Sequence, residues 1–362
     1  GAHHGSGAGW GAAMEPLADG GARALGLALA FGSSALHAAA DVSQKALVQV
    51  APSMQALLAA KAGLTAAALF LAFLLTDNAA LVHLADALAS SDFLSAWLVS
   101  GVINAAASWL YLQGLRRGQL VDTLPFLSLT PVFLLGSGYA FLGELPSGRG
   151  MFGVMLISLG GFWLSRTAAV SAASSARGKA AAKGPPDSAA LEDAEVMAAV
   201  APWLPPGAPT FVLIALLYSV SSAFDKRGVQ AAPPLVYGAA VHCIVALTAA
   251  VSSRYGLTEL RPKAEQPPSS GTADRCRSRR SGLASLVGHW RLLMLWWLLS
   301  AVSYWFQLEA NRRILASHLS AIRRAGVVLA VLLGRVLFGE EVGRRLPPIW
   351  TMVLGVVLIS LK

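Results

Sequence analysis

The chain is divided into blocks of about 20 mainly apolar residues, and this pattern limits its fold more than any other feature. A helix of that length crosses a hydrocarbon core about 30 Å thick. Lipid offers no partners for backbone N–H and C=O groups, so each block must be helical. Only 13% of the 362 residues are charged, whereas soluble domains contain about 25%. The sequence therefore predicts an all-α integral membrane protein.

The apolar blocks form two groups of five predicted spans. The first group comprises residues 24–46, 56–76, 93–114, 119–142 and 150–168. The second group comprises residues 209–229, 235–255, 289–310, 316–338 and 347–361. Residues 169–207 are rich in Ala, Ser, Gly and Pro and predict a disordered linker, and residues 256–290 predict a basic loop. Residues 1–22 contain no signal-peptide core and are left unassigned.

The two groups repeat one another in sequence. The phrase "KALVQVAP" from Lys45 matches "KRGVQAAP" from Lys226 at an offset of 181 residues. The phrase "WLYLQGLRR" from Trp109 matches "WFQLEANRR" from Trp305 at an offset of 196 residues. The offset grows because the second copy holds an insertion, and the basic loop lies where that insertion is required. Several ordered matches at nearly constant offsets indicate an internal duplication.

A Gly-Glu pair ends the fourth span of each group. Glu144 corresponds to Glu340, and in the following spans Gly160 corresponds to Gly355. A carboxylate at a helix boundary can accept hydrogen bonds from the first N–H groups of the following helix, where the dipole favours negative charge. We interpret these four residues as a structural helix-end motif. The alternative is that the glutamates are proton-coupling acids in a cavity.

A duplicated unit with five spans has a topological consequence. Because five is an odd number, the second copy enters the bilayer from the opposite side, which inverts the halves about an axis in the membrane plane. We expect a first repeat at residues 23–168 and a second at residues 208–362. Inverted halves around a central cavity suit alternating access. No G-x-x-x-x-G-K-[ST] phosphate loop is present, so the sequence favours secondary or facilitated transport.

Two long phrases resemble a known family. "LPFLSLTPVFLLGSGYAFLGE" at residues 124–144 and "SAIRRAGVVLAVLLGRVLFGEE" at residues 320–341 resemble the ends of the two halves of EamA-type carriers of the drug/metabolite transporter superfamily. The resemblance covers about residues 24–168 and 209–361. It implies ten transmembrane helices as two inverted five-helix repeats. It leaves the substrate open, because this superfamily moves amino acids, drugs, nucleotide sugars and sugar phosphates on one architecture.

Three ionisable residues of the first span share one helical face. His37, Asp41 and Lys45 follow at four-residue intervals. An ionisable group inside a span is costly, and each therefore marks a candidate site. Asp41 is the candidate for proton coupling. For Lys45 the alternative is contact with lipid headgroups, and for His37 it is a hydrogen bond to a neighbouring helix.

Basic and aromatic residues of later spans are further candidates. Arg323 and Arg324 begin the ninth span, where the resemblance implies basic residues that bind substrate in phosphate-exchanging carriers, and Arg suits phosphate or carboxylate. The alternative is that headgroups hold both arginines at the interface. Aromatic and amide side chains of the third and eighth spans could line a cavity or serve as ordinary packing: Trp109, Tyr111, Tyr304, Trp305 and Gln307.

The sequence offers no support for other chemistry. Its two cysteines, Cys243 and Cys276, form neither a disulfide framework nor a metal set, and no H-E-x-x-H or G-x-S-x-G motif occurs. We predict no enzyme activity, no metal and no cofactor. The net charge of +9 suits basic loops on anionic lipid and does not indicate nucleic acid. The expected partners are a small-molecule substrate, membrane lipids, and a proton or counter-substrate.

The sequence thus predicts a carrier that exports or exchanges a small polar metabolite by alternating access. The alternative is a membrane scaffold or lipid-interacting protein that retains the carrier fold without transport. The excess of Lys and Arg in the linker and the basic loop favours a cytoplasmic linker, whereas the resemblance implies cytosolic chain ends. The choice between a plasma membrane and an organelle membrane stays open, as does the oligomeric state.

Overall fold

A computed structural model describes residues 20–50, 54–116, 124–181, 208–255, 290–338 and 346–361. All regular structure in these ranges is helical. The first half contains α1 (Gly20–Val50), α2 (Met54–Thr76), α3 (Ala80–Ala89), α4 (Ser91–Arg116), a 3₁₀-helix (Leu124–Leu129), α5 (Thr130–Leu142) and α6 (Gly148–Ala181). The second half contains α7 (Ala208–Ala231), α8 (Pro234–Tyr255), α9 (Trp290–Arg313), α10 (Ala316–Phe338) and α11 (Leu346–Ser360).

Length and composition identify membrane-spanning helices. Among the described residues, four helices are long and apolar enough to cross a membrane, and they lie at Gln55–Thr76, Ser91–Tyr111, Ala208–Ala231 and Pro234–Arg254. Large apolar side chains cover outer faces, as at Leu75, Leu247 and Trp350, which suits a surface in contact with lipid. The chain is therefore a multi-pass integral membrane protein, as the sequence predicted.

Each predicted span overlaps a helix, but two segments differ from the prediction. Helix α6 continues to Ala181, so residues 169–181 are helical rather than part of a disordered linker. Their alanines explain the difference, because Ala favours a helix even where little apolar surface is buried. Helix α3, which has 10 residues, was not predicted because it is too short to cross a membrane. The rest of the linker and residues 256–289 of the basic loop lie outside the described residues.

The predicted fourth span does not begin as an α-helix. Leu124–Leu129 forms a 3₁₀-helix, and the α-helix starts at Thr130. Pro125 and Pro131 flank this change, and proline both lacks an N–H group and disfavours the α conformation in the residue before it. The hydroxyl of Thr130 donates to the carbonyl oxygen of Leu127, 2.7 Å away. A 3₁₀ segment of this kind is common at the start of an α-helix.

Helix α5 ends at the first Gly-Glu pair. Gly143 adopts a φ of 67°, a left-handed conformation that glycine reaches without steric strain. Its N–H donates to Tyr139 O at 3.0 Å, and the N–H of Glu144 donates to Gly138 O at 3.2 Å. These two bonds satisfy carbonyl groups at the helix end, and the bond from Gly143 to Tyr139 is that of the αL capping motif. The glycine of the pair is therefore required by the backbone.

The two halves pack against each other in a reciprocal way. Helix α1 packs on α9 and α10, and helix α7 packs on α4 and α5. Helix α2 packs on α8, and α6 packs on α11. The sequence repeat pairs α1 with α7, α4 with α9 and α5 with α10. Exchanging the two halves therefore turns the contacts of α1 into those of α7, and it leaves the α2–α8 and α6–α11 contacts unchanged.

Glycines let α6 and α11 cross closely, and this crossing is also reciprocal. A methyl group on Gly160 would lie 2.8 Å from the carbonyl oxygen of Pro348, and one on Gly355 would lie 2.6 Å from that of Gly153. At the offset of 195 residues, Gly160 corresponds to Gly355 and Gly153 corresponds to Pro348. Each contact is thus a copy of the other, and neither glycine can be enlarged without moving a backbone.

Candidate functional site

Basic side chains from three helices meet inside the bundle. Arg323 and Arg324 of α10 are half-buried, and Nη2 of Arg324 donates to Oγ1 of Thr130 at 3.1 Å, where the 3₁₀-helix joins α5. Both arginines and Lys61 of α2 lie within electrostatic reach of the His37 imidazole on α1. The structure thus brings together three of the predicted residues, His37, Arg323 and Arg324.

Aromatic side chains of the second half border these cations. The charge of Arg323 acts on the hydroxyls of Tyr218 on α7 and Tyr304 on α9. The Tyr304 ring meets the edge of His242 on α8, with ring centroids 4.4 Å apart. We call this set the central polar group: His37, Lys61, Tyr218, His242, Tyr304, Arg323 and Arg324. It draws on six helices from both halves, and its fixed charges are positive.

Asp225 of α7 is the centre of a buried hydrogen-bond network next to the central polar group. The hydroxyl of Ser100 on α4 donates to Oδ1 of Asp225, and the hydroxyl of Tyr237 on α8 donates to the same oxygen at 2.9 Å. The hydroxyl oxygens of Ser100 and Ser221 lie 3.0 Å apart. Nδ2 of Asn104 donates to Oγ of Ser221 at 2.6 Å. These side chains connect a helix of the first half to two helices of the second.

Asp225 differs from other acidic side chains in its partners. It is 5% exposed, and within the described ranges it forms no ion pair, since its hydrogen bonds come from neutral hydroxyl groups. Four other acidic side chains each lie against a basic one: Asp77 with His83, Asp92 with Arg227, Glu144 with Lys226, and Glu309 with Arg313. The most buried of these carboxyl groups is therefore the one without a cation against it.

Glu144 and Lys226 tie three helix ends together. Nζ of Lys226 lies 2.5 Å from Oε1 of Glu144 and donates to the carbonyl oxygen of Ile314 at 2.7 Å. Oε2 of Glu144 accepts a hydrogen bond from the N–H of Ala316, 3.3 Å away. We expected Glu144 to bond the helix that follows it, α6, but it bonds the start of α10. The reason is tertiary packing, which places the α9–α10 turn beside the end of α5.

The other predicted site residues do not all join the central polar group. Trp109 lines a cavity of about 360 Å³ between α2, α4 and α8, together with Gln55 and Thr248. Tyr111 meets the edge of Phe211 at a ring distance of 6.2 Å, which is helix packing between α4 and α7. Trp305 packs against Phe306, with ring centroids 5.6 Å apart, whereas its neighbour Tyr304 packs against His242. Adjacent residues on a helix point in different directions.

The remaining predicted positions are Gln307, Asp41, Lys45 and Glu340. Gln307 is buried on α9, whereas Trp305 is exposed on the same helix. The side chains of Asp41 and Lys45 on α1 lie outside the described residues, and so does Glu340. The roles predicted for these last three residues remain predictions.

Sequence reasoning missed Lys61, His242 and Asp225. Each is an ionisable residue inside a predicted span, which is the signal that selected Asp41. Asp225 directly precedes Lys226. The repeat match to Lys45 begins at that lysine and does not include Asp225. Within the described part of the chain, no group of three or more His, Cys, Asp or Glu side chains could hold a metal ion.

Comparison with known proteins agrees with the resemblance read from the sequence. Residues 24–166 match the model of the EamA-like transporter family, which confirms that resemblance for the first half. A solved structure, described only as the crystal structure of a protein, is similar with a TM-score of 0.56 and 17% sequence identity. The similarity covers 93% of this chain and 95% of that one, and at this identity it shows the fold alone. A search of curated proteins found no match.

Proposed function

We propose that this chain, whose residues 24–166 are EamA-like, is a secondary transporter of a small polar metabolite that works by alternating access. The observation that carries the proposal is the central polar group, where six helices from both halves contribute ionisable or hydroxyl side chains. Polar groups are costly inside a membrane and are typical of a substrate pathway.

We propose a ten-helix architecture of two inverted five-helix repeats. The reciprocal helix contacts support it, because α1 packs on α9 and α10 as α7 packs on α4 and α5. The glycine crossing of α6 and α11 supports it independently. Two similar halves around one site can exchange between outward-open and inward-open arrangements of nearly equal free energy.

The charge of the site favours a substrate with an anionic group. Among the described side chains of the site, Lys61, Arg323 and Arg324 are cationic and Asp225 is the nearby acid, so positive charge is in excess among them. A guanidinium group presents paired N–H donors to phosphate or carboxylate oxygens. The carrier would then export its substrate or exchange it for another anion.

Uptake into proteoliposomes tests the proposal. Wild-type protein should give saturable uptake of one or more solutes from a panel of phosphorylated, carboxylated and neutral metabolites. Arg324→Ala should reduce uptake at least tenfold, because it removes a cation and the hydrogen bond to Thr130. Arg312→Ala is the matched control, since Arg312 is exposed at the end of α9 and its loss should leave uptake unchanged. Absence of saturable uptake across the panel would favour the scaffold alternative.

A further inference from the structure

We propose that Asp225 is the proton-binding residue of the carrier, and that its protonation controls the contact between the two halves. The inference rests on the proposed transport function and names the driving ion of the same site. It arises from the hydrogen-bond network of Asp225, not from the stripe on α1 that the sequence singled out.

The partners of Asp225 suit a carboxyl group that exchanges a proton. An ionised carboxylate buried without a cation is costly, and such a group lowers the cost by taking up a proton. Ser100 and Tyr237 donate to one oxygen of Asp225 and satisfy it without fixing its charge. Glu144, by contrast, has a cation against it, since its Oε1 lies 2.5 Å from Nζ of Lys226.

The titratable groups around Asp225 come from three neighbouring helices. Tyr237 on α8 bonds it directly, Tyr304 lies nearby on α9, and Arg323 on α10 acts on it from a greater distance. Helix α4 contributes the neutral side chains Ser100 and Asn104. On α7 itself, the ammonium group of Lys226 is bound to Glu144. Arg323 thus connects the proton-binding residue to the central polar group.

Exposed side chains lie close to Asp225 along α7. Arg227, two residues further on, forms an ion pair of 2.5 Å with Asp92, and both side chains are largely exposed. This exposed pair marks the aqueous end of α4 and α7. A proton can therefore reach Asp225 from that face, and alternating access would release it to the other.

Protonation would change the contact between the halves. Hydrogen bonds to an ionised carboxylate are roughly twice as strong as bonds between neutral groups. When Asp225 is ionised, Ser100 holds α4 of the first half against α7 of the second. When Asp225 takes up a proton on its carboxylate, that charge-assisted bond becomes a neutral one, and the α4–α7 contact weakens. The proton thus biases an element that has two arrangements, as a coupling mechanism requires.

Infrared difference spectroscopy of purified protein tests proton binding without a substrate. A protonated carboxylic acid gives a carbonyl stretching band that ionised carboxylates lack. We expect wild type to show such a band that disappears as the pH is raised, and Asp225→Asn to lose it completely. Asp92→Asn, which changes an exposed acid, should keep the band. A band that persists in Asp225→Asn, or no titrating band in wild type, would overturn the proposal.

Two further measurements separate this proposal from the transport proposal. Ser100→Ala should shift the frequency of the band, because it removes one donor to Asp225, and this serves if Asp225→Asn does not fold. In proteoliposomes, a pH gradient should drive accumulation of a transported solute in wild type, while Asp225→Asn should keep exchange and lose accumulation. Saturable uptake that ignores the gradient in wild type would overturn the role of Asp225 and leave transport intact. A titrating band without uptake of any solute would overturn the transport proposal and leave proton binding by Asp225 intact.

Discussion

The α4–α7 interface and the α1–α9 interface correspond under the internal repeat, yet they bury different side chains. At the repeat offsets, Ser100 of α4 corresponds to Trp296 of α9, and Ser221 of α7 corresponds to Ala40 of α1. In the α4–α7 interface, which we call the polar interface, Ser100 and Ser221 hold hydroxyl groups close to Asp225. In the α1–α9 interface, which we call the apolar interface, Trp296 and Ala40 belong to an apolar cluster.

The difference shows what each copy of a duplicated unit must keep. Both interfaces need helices that approach closely, and small residues achieve this in each, as with Ser33 and Ser303 in the α1–α9 interface. The hydroxyl of each of these serines donates to the backbone of the other at 2.8 Å, which adds no ionisable group. Among the described side chains, the hydrogen bonds to a buried carboxyl group lie in the other interface. The residue that we propose to bind the proton thus lies in the interface where the two copies differ.

The largest expected effect concerns the ion pair between Glu144 and Lys226, the residue that follows Asp225 on α7. Lys226→Met should destabilise the fold by about 3 to 5 kcal/mol, because it leaves the partly buried carboxylate of Glu144 without its cation. Thermal unfolding in detergent measures this. Arg227→Met is the control on the same helix, since its exposed pair with Asp92 contributes about 0 to 1 kcal/mol. Equal losses of stability in the two variants would contradict the structural role of the ion pair between Lys226 and Glu144.

A smaller loss is expected in the apolar interface. Trp296→Leu should cost about 2 to 3 kcal/mol, because it leaves a cavity and removes the contact of Lys61 with the indole ring. Trp350→Leu provides the control, since Trp350 is 67% exposed and should change stability little. The Trp296 loss should not depend on pH. A pH-dependent loss would mean that the second interface also carries a titrating group.

Removal of one hydroxyl from each interface sharpens the comparison. At neutral pH, Ser100→Ala should cost about 1.5 kcal/mol, because it removes a hydrogen bond to a carboxylate. Ser303→Ala should cost about 0.6 kcal/mol, a typical value for a bond between membrane helices. In acid the Ser100 cost should fall toward the Ser303 cost, since Asp225 is then protonated. Denaturation midpoints at several pH values measure both.

Most of the fold could be predicted because the solvent dictates it. Apolar blocks in a bilayer have one secondary structure available, and each predicted span overlaps a helix. The misses were local: Pro125 and Pro131 produce a 3₁₀ start to the fourth span, and an alanine-rich segment extends α6. Neither feature changes the apolar pattern from which the spans were predicted.

The candidate site was less predictable because it depends on which helices meet. His37, Arg323 and Arg324 could be proposed one by one from their cost inside a span, and the structure then groups them. Asp225 carried the same signal, but its partners Ser100 and Tyr237 lie on other helices and no spacing in the sequence connects them. A single sequence identifies costly residues and does not pair them.

The smallest expected effect lies outside both interfaces, in the turn between α2 and α3. Nδ1 of His83 donates to Oδ2 of Asp77 at 2.7 Å, and the N–H of Ala79 donates to Oδ1 at 2.9 Å. The bond from His83, followed by the bond from Ala79, holds the pKa of Asp77 below its ordinary value of 3.8. Asp77 thus has the basic partner that Asp225 lacks, but it is only partly buried.

A lowered pKa in the folded protein stabilises the fold above the ordinary pKa, and this contribution is lost as the pH falls through the lowered value. His83→Ala should therefore reduce stability slightly at neutral pH, and the difference from wild type should shrink as the pH falls below 3.8 and vanish below the lowered pKa of Asp77. Because the pair is only partly buried and water screens it, the loss at neutral pH should be smaller than that of Ser100→Ala. Denaturation midpoints of both variants across the same pH range measure the contrast. If His83→Ala reduced stability as much as Ser100→Ala, burial would not be what distinguishes Asp225 from Asp77. Hydrogen bonds to a carboxyl group in the polar interface would then be no stronger than those in an ordinary turn.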